Sequence, residues 1–121
     1  MAGHAVFLGW GQVVRGREQL ALQVFQETVE YWAKHQQDGK IESFRPCLLE
    51  PHGGDLSGFF LITGERSTLD EIQSTDDYAR MVARAGTVVD NLGVTTAFTD
   101  DELAKQMGIY AEVVQGLPQA T

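Results

Sequence analysis

The 121-residue sequence has little cysteine and proline and no long apolar run. Cys47 is the single cysteine, so no disulfide can form within the chain and a disulfide-stabilised fold is excluded. No segment approaches the roughly 18 apolar residues that a membrane-spanning helix needs. The first residues also lack the basic segment that precedes the apolar stretch of an export signal. These absences predict a cytoplasmic protein with no membrane partner.

Basic residues are also scarce. The chain has 9 Lys and Arg against 17 Asp and Glu, which gives a formal net charge of −8. Affinity for nucleic acid depends on cationic side chains that neutralise phosphates, so nucleic acid is not an expected partner. Anionic membrane surfaces are disfavoured for the same reason. Hydrophobic residues make up 43% of the chain, enough for one core, and we expect a single domain over residues 1–121.

What the sequence does contain is a strong β-hairpin signal at its centre. Two apolar runs, ending near Glu50 and beginning near Leu56, are joined by the turn-rich link Pro51–Asp55. Helical periodicity flanks the hairpin on both sides. The predicted strands cover residues 4–13, 41–50, 56–64 and 92–98, and the predicted helices cover 16–38, 67–88 in two pieces, and about 100–115.

The helix boundaries rest on capping signals. Gly39 follows the first helix where a left-handed cap is favoured. Ser67 and Ser74 are each followed by an aspartate three residues later, which predicts a second helix broken into two. Thr99 and Glu102 form a full capping box before the C-terminal helix.

The order strand–helix–strand–strand–helix–strand predicts a ferredoxin-like α+β fold. In this fold strand 3 lies between strands 1 and 2 in a four-stranded antiparallel sheet. Helices cover one face of the sheet. The expected core spans residues 4–98, with the C-terminal helix as an addition.

Both faces of this predicted sheet are apolar. Phe59 and Leu61 point to one face, while Phe60 and Ile62 point to the other. An apolar face that stays uncovered usually marks an interface, so we expect a homodimer that pairs through the sheet. The C-terminal helix is the other candidate cover, either on its own sheet or on the partner's.

The pattern resembles the dimeric α+β barrel superfamily, whose ferredoxin-like subunits pair sheet to sheet. The resemblance extends in pattern over about residues 5–98. The segments that carry it are HAVFLGWG, YWAKHQQDGKIESFRP and LSGFFLITGERSTLDEIQSTDDYARM. Within them, Asp38-Gly39-Lys40-Ile41 resembles YciI-like members, and LDEIQSTDDYARM resembles the broken second helix of the superfamily.

The resemblance implies a fold and a dimer more strongly than a reaction. The superfamily includes cofactor-free monooxygenases, lactone isomerases, haem-binding enzymes and members of no known activity. YciI-like proteins usually carry a His/Asp pair that serves as a catalytic dyad, and no such pair can be placed in this sequence. No cofactor and no catalytic residue are therefore assigned.

The three histidines suggest a metal site, but the topology argues against one. His52 lies in the hairpin link at one end of the sheet, whereas His4 and His35 lie at the opposite end. The ligands of one ion lie within a few ångström of it, so no metal site is predicted.

A second group of polar residues is gathered by the topology beside the hairpin link. Trp10 ends strand 1, Arg17 precedes the first helix and His52 lies in the link. An arginine and a histidine beside an aromatic ring can bind a carboxylate or polarise a carbonyl. The alternative is that these are solvated turn residues. The neighbouring candidates are Gln12, Arg15, Asp55, Asp90 and Asn91.

Arg45 is expected on strand 2, an edge strand, together with Glu50. Charges there commonly prevent edge-to-edge pairing. The functional alternative is that Arg45 points into a cavity with Ser43 and Cys47, which share its face. The aromatic side chains are expected in the core, or around a pocket between helices and sheet. They are Phe7, Phe25, Trp32, Phe59 and Phe60.

Two function hypotheses follow. The first is binding, with conversion left open, of a small organic molecule in a cleft between helices and sheet, with Trp10, Arg17, Arg45 and His52 as contacts. Its enzymatic form is a cofactor-free monooxygenase-like or YciI-like activity. The second is a non-catalytic assembly module whose specific surface is the dimer face.

Overall fold

The computed structural model describes residues 3–118. The predicted order of elements is confirmed, with the second helix broken into two and a further helix at the end. The elements are β1 (His4–Trp10), α1 (Glu18–Gln37), β2 (Ser43–Leu48), β3 (Gly58–Gly64), α2 (Arg66–Gln73), α3 (Asp76–Gly86), β4 (Gly93–Phe98) and α4 (Asp100–Gln115).

The four strands form one antiparallel sheet in the order β2-β3-β1-β4. β3 lies between β1 and β2, as the ferredoxin-like prediction requires. The register places Phe7 of β1 between Leu61 of β3 and Thr95 of β4. Because successive side chains alternate, this register assigns every residue of the sheet to one of two faces.

One face packs against the helices and forms the core. Val6 and Leu8 of β1 lie beside Phe60 and Ile62 of β3, and Trp32 of α1 packs against them with no exposed surface. In α1 the buried residues recur every three or four positions, as an amphipathic helix requires. They are Ala21, Val24, Thr28 and Trp32. Tyr78 and Ala85 are the buried residues of α3.

We call the other side of the sheet the open face. Its members are Ala5, Phe7, Gly9, Ser43, Arg45, Cys47, Phe59, Leu61, Thr63, Gly93, Thr95 and Ala97. Phe7 and Phe59 stack on each other there, with ring centroids 5.1 Å apart. The prediction that both belong to the core with Phe60 is therefore wrong, because alternation turns them away from the helices.

Several element ends differ from the predicted ones. β1 ends at Trp10 because the chain then leaves the sheet, and Val13 instead forms a bridge with Val89. Glu50 lies beyond the end of β2, which stops at Leu48. The end of α1 is as predicted: Gly39 has φ +75°, a conformation that favours glycine.

The predicted caps are corrected in three places. α2 begins one residue before Ser67, which is inside the helix. Thr75, not Ser74, caps α3, with its hydroxyl accepting from the Tyr78 N–H at 3.2 Å. Thr75 has the extended backbone that an N-cap needs, whereas Ser74 still closes α2. Thr99 precedes α4, but its hydroxyl makes no cap bond, so the capping box is not formed.

The C-terminal helix α4 has no buried residue. An apolar stripe runs along it, and its side chains are half-exposed or more. The stripe is formed by Leu103 (49%), Met107 (59%), Tyr110 (66%) and Val113 (56%). α4 is therefore not packed into the core of its own chain. Within residues 3–118, no helix combines the length and apolarity needed to cross a membrane.

Candidate functional site

A cavity of about 450 Å³ lies between α1, α3 and the helix-covered face of the sheet. This volume is in the range of small-molecule sites, which are usually concave and mostly apolar. Its lining is Leu8, Trp10, Val13, Glu18, Ala21, Leu22, Val24, Phe25, Thr28, Leu48, Phe60, Ala85, Val88, Val89 and Leu92.

The cavity exists because small side chains meet where α1 and α3 pack. Ala21 of α1 and Ala85 of α3 belong to one buried cluster, with Val24 and Val88 beside them. Each alanine ends at its β-carbon, so the space that a leucine would fill remains empty. Helical spacing puts Ala21, Val24 and Thr28 on the same side of α1.

Three aromatic rings form one wall of the cavity. The ring centroids of Trp10 and Phe25 are 6.1 Å apart, those of Trp10 and Phe60 are 5.6 Å apart, and those of Phe25 and Phe60 are 5.5 Å apart. The rings are tilted or edge-on to one another, and Phe60 is almost fully buried, so Trp10 and Phe25 present most of the aromatic surface of this wall. A flat apolar molecule can pack well against such a wall.

The rim of the cavity is apolar as well. Leu22 of α1 is 73% exposed and Leu48 at the end of β2 is 75% exposed, although both line the cavity. Val13, in the first loop, is 42% exposed. Leu22 and Leu48 have higher exposure than any other large apolar side chain in the described part of the chain. Exposed apolar groups at the mouth of an apolar cavity favour a ligand that also contacts the rim.

Glu18 is the single ionisable residue in this lining. Its carboxylate oxygens accept from the Gly16 N–H at 3.1 and 3.2 Å. Backbone N–H groups, its own first and then that of Gly16, hold the pKa of Glu18 below its usual range. The carboxylate is therefore ionised at neutral pH. Thr28, also in the lining, donates its hydroxyl proton to the Val24 carbonyl at 2.8 Å.

The four residues predicted as ligand contacts are not brought together. Trp10 lines the cavity. Arg17 lies at the start of α1 and donates to the Thr87 carbonyl. Arg45 is exposed on the open face, on the opposite side of the sheet from the cavity. His52 is exposed in the hairpin link, where Nε2 lies 2.8 Å from the Leu56 carbonyl and Nδ1 accepts from the Gly54 N–H.

The three loops that contain Gly11, Asp55 and Asp90 do converge at one end of the sheet, as the topology predicts. A β-carbon on Gly11 would lie within 3 Å of the carbonyl oxygens of Asp55 and Asp90, so three links meet there. Their contacts are made by the backbone: the Gly11 N–H donates to Asp90 and the Asp90 N–H donates to Gln12. The meeting point is therefore a structural junction.

The histidines occupy three separate surroundings. His4 lies 3.8 Å from the Glu102 carboxylate and packs edge-on against Phe98. His35 packs against Tyr31 and Trp32, and burial lowers its pKa, with Lys40 contributing in the same direction. In residues 3–118 no group of three or more His, Cys, Asp or Glu side chains is placed to hold a metal ion.

Most of the cavity lining was not predicted from the sequence. Glu18 lies three residues before Ala21 and four before Leu22, so helical spacing places it beside both. That spacing could have identified Glu18 as a neighbour of the cavity from the sequence. Leu48, Ala85 and Val88 carry no such signal, because their approach to α1 depends on how distant segments pack.

Comparisons with known proteins find structural likeness only. No family model matches the sequence, and no curated protein matches it. A conserved protein from Methanosarcina mazei Go1 superposes with a TM-score of 0.61 at 10% identity, covering 82% of this chain and 95% of the other. A dimeric protein of unknown function and ferredoxin-like fold from Bacteroides fragilis gives 0.56 at 8% identity, with 79% and 96% covered.

The third structure is SnoaB, a cofactor-independent oxygenase from Streptomyces nogalater. It superposes with a TM-score of 0.56 at 14% identity, covering 84% of this chain and 98% of SnoaB. At these identities the likeness shows the fold alone. The chain therefore has the ferredoxin-like α+β fold, consistent with the subunits of the dimeric α+β barrel superfamily that its sequence resembles.

Proposed function

We propose that this protein binds a small, flat, apolar organic molecule in the cavity between α1, α3 and the sheet. The observation that carries the proposal is the cavity of about 450 Å³ with its wall of Trp10, Phe25 and Phe60. The cavity is open at a rim that includes the exposed side chains of Leu22 and Leu48, so its apolar walls contact water. An apolar ligand would remove those walls from water.

The cavity favours binding over acid–base conversion. Glu18 is the ionisable group in its lining, and a carboxylate with a lowered pKa is a weak base. An oxygenase activity like that named for SnoaB is the enzymatic alternative. The oxygenase alternative predicts that the protein consumes oxygen when a quinol that it binds is added, which an oxygen electrode can measure. Simple binding predicts no oxygen consumption.

Isothermal titration with 2-naphthalenemethanol, a flat apolar probe, tests the binding proposal. Wild-type protein should bind the probe, and Ala21→Leu should abolish binding because the leucine fills the cavity. Ala83→Leu adds the same side chain at an exposed position of α3 and should leave binding unchanged. Equal binding to wild type and Ala21→Leu would place the probe elsewhere and overturn the proposal.

A second copy of the chain is the partner we propose for the open face. A protein of the same fold from Bacteroides fragilis is dimeric, which supports this proposal. A standard interface buries ~800 Å² on each partner. The stacked Phe7 and Phe59 lie on this face, and the apolar stripe of α4 is also uncovered. The assembly hypothesis rests on the same surfaces.

A further inference from the structure

The charge at the mouth of the cavity has a consequence for the ligand. Glu18 lies one helical turn before Leu22, on the same side of α1, and both residues line the cavity. Glu18 is exposed and its carboxylate accepts from the Gly16 N–H before the helix, which places the charge at the rim, and the exposed Leu48 also lines the cavity. The remaining lining residues carry no charge.

We infer that the cavity selects an apolar ligand with a cationic or hydrogen-bond-donating end, and that it disfavours carboxylates. The inference rests on the proposed binding function. The apolar body lies against Trp10, Phe25 and Phe60, and the polar end lies at the rim beside Glu18. This orientation keeps the polar end in contact with water, so no charge is buried.

Glu18 has acceptor capacity left for such a ligand. An ionised carboxylate offers about four lone-pair sites, and the backbone N–H groups of Glu18 itself and of Gly16 occupy only part of this capacity. An ammonium or hydroxyl at the end of a ligand can donate to the remaining sites. A ligand carboxylate would instead meet a like charge at short range, which is unfavourable.

The two arginines that precede Glu18 lie outside the cavity lining. Arg17 precedes Glu18, but its guanidinium is directed to the Thr87 carbonyl and is not part of the lining. Arg15 is likewise outside the lining. From the sequence, an arginine and a histidine beside Trp10 could bind a carboxylate or polarise a carbonyl, whereas the cavity lining favours a ligand that is not a carboxylate.

Three probes that share one ring system test the inference by isothermal titration: 2-naphthylmethylammonium, 2-naphthalenemethanol and 2-naphthoate. We expect the ammonium and the alcohol to bind more tightly than the carboxylate. For an exposed charge, the ammonium should gain about two- to five-fold over the naphthoate from Glu18. The ratio should shrink as salt is added, because the rim is solvated.

Glu18→Gln should bring the ratio of ammonium affinity to naphthoate affinity closer to one. The glutamine keeps an acceptor for the Gly16 N–H. Glu30→Gln is the matched control, since it removes the same charge from an exposed position of α1 outside the cavity lining. The control should leave the ratio unchanged. Equal effects of the two variants would show a long-range charge effect and overturn the role of Glu18.

The outcomes separate the two proposals. If no probe binds the wild-type protein, the proposed function fails. If all three bind equally, or the naphthoate binds most tightly, the cavity is a binding site but the charge selection is wrong. The wild-type order of affinities tests the charge preference, and the two variants assign it to Glu18.

Discussion

Both faces of the sheet carry phenylalanine side chains, but these side chains have different surroundings. Phe60 is 1% exposed against the helices, while Phe59, its neighbour in the same strand, is only partly buried on the open face. Val6 and Phe7 differ in the same way in β1. The presence of a large apolar residue therefore does not decide which face the helices cover. The path of the chain does, because right-handed crossovers put the connecting helices on one side of the sheet.

The largest expected effect compares Phe60 with Phe59. Phe60→Ala should cost about 3–5 kcal/mol of unfolding free energy, because it removes a fully packed ring from the core. Phe59→Ala should cost clearly less, measured by urea unfolding at concentrations low enough to dissociate a dimer. Equal losses would mean that the two faces are equally covered within one chain.

The next prediction concerns assembly through the open face. Leu61→Lys puts a charge at the centre of this face, opposite Phe7 and beside Arg45, and should shift a dimer to monomer in light scattering. A charge left unpaired in an apolar interface is expected to cost several kcal/mol. Gln37→Lys, at the exposed end of α1, is the control and should leave the mass unchanged. A wild-type mass of 13.3 kDa at micromolar concentration would contradict the dimer.

A smaller effect on stability is expected at the N-cap of α3. Thr75→Ala removes the acceptor for the Tyr78 N–H and should cost about 1 kcal/mol. Ser74→Ala removes only a hydroxyl that donates to the Glu71 carbonyl within α2, and should cost less. Thermal unfolding measures both. If Ser74→Ala were the more damaging variant, α3 would not begin where the structure places it.

The smallest predicted effect is a pH dependence of the unfolding free energy that arises from His35 in α1. Burial lowers the pKa of His35 in the folded state, so protonation favours the unfolded chain. Lys34 and Lys40 add to the lowering, while Asp38 and Asp77 oppose it. The stability is fully present above the unfolded pKa of about 6.5 and declines as the pH falls through the lower folded value. His35→Gln should weaken the dependence of the unfolding free energy on pH in this range, measured by urea unfolding at several pH values. An unchanged dependence on pH would exclude His35 as the source.

The sequence was sufficient for the elements and their order. Alternation in residues 58–64 and helical spacing in residues 18–37 are local properties, so each element can be recognised without its neighbours. Gly39 was placed correctly because its left-handed conformation is also a local requirement. The cap at Thr75 was missed by one residue, since Ser74 and Thr75 can both accept a backbone bond and only the backbone angles distinguish them.

The candidate site was predicted only in part. Trp10 was named, and it lines the cavity, but Arg45 lies across the sheet from it. A charged residue on an edge strand can face either side, and its side is fixed only by the register with β3. Whether Trp10, Arg17, Arg45 or His52 contacts a ligand stays a prediction.

By itself, the sequence determined a ferredoxin-like fold with apolar residues on both faces of its sheet, because strand and helix periodicities and the central hairpin are encoded locally. Only the tertiary structure decided that a cavity exists and that Glu18 stands at its mouth. The empty volume comes from Ala21 and Ala85 meeting across two helices that are distant in sequence. Such a volume depends on the distance between packed elements, and no local sequence pattern encodes that distance.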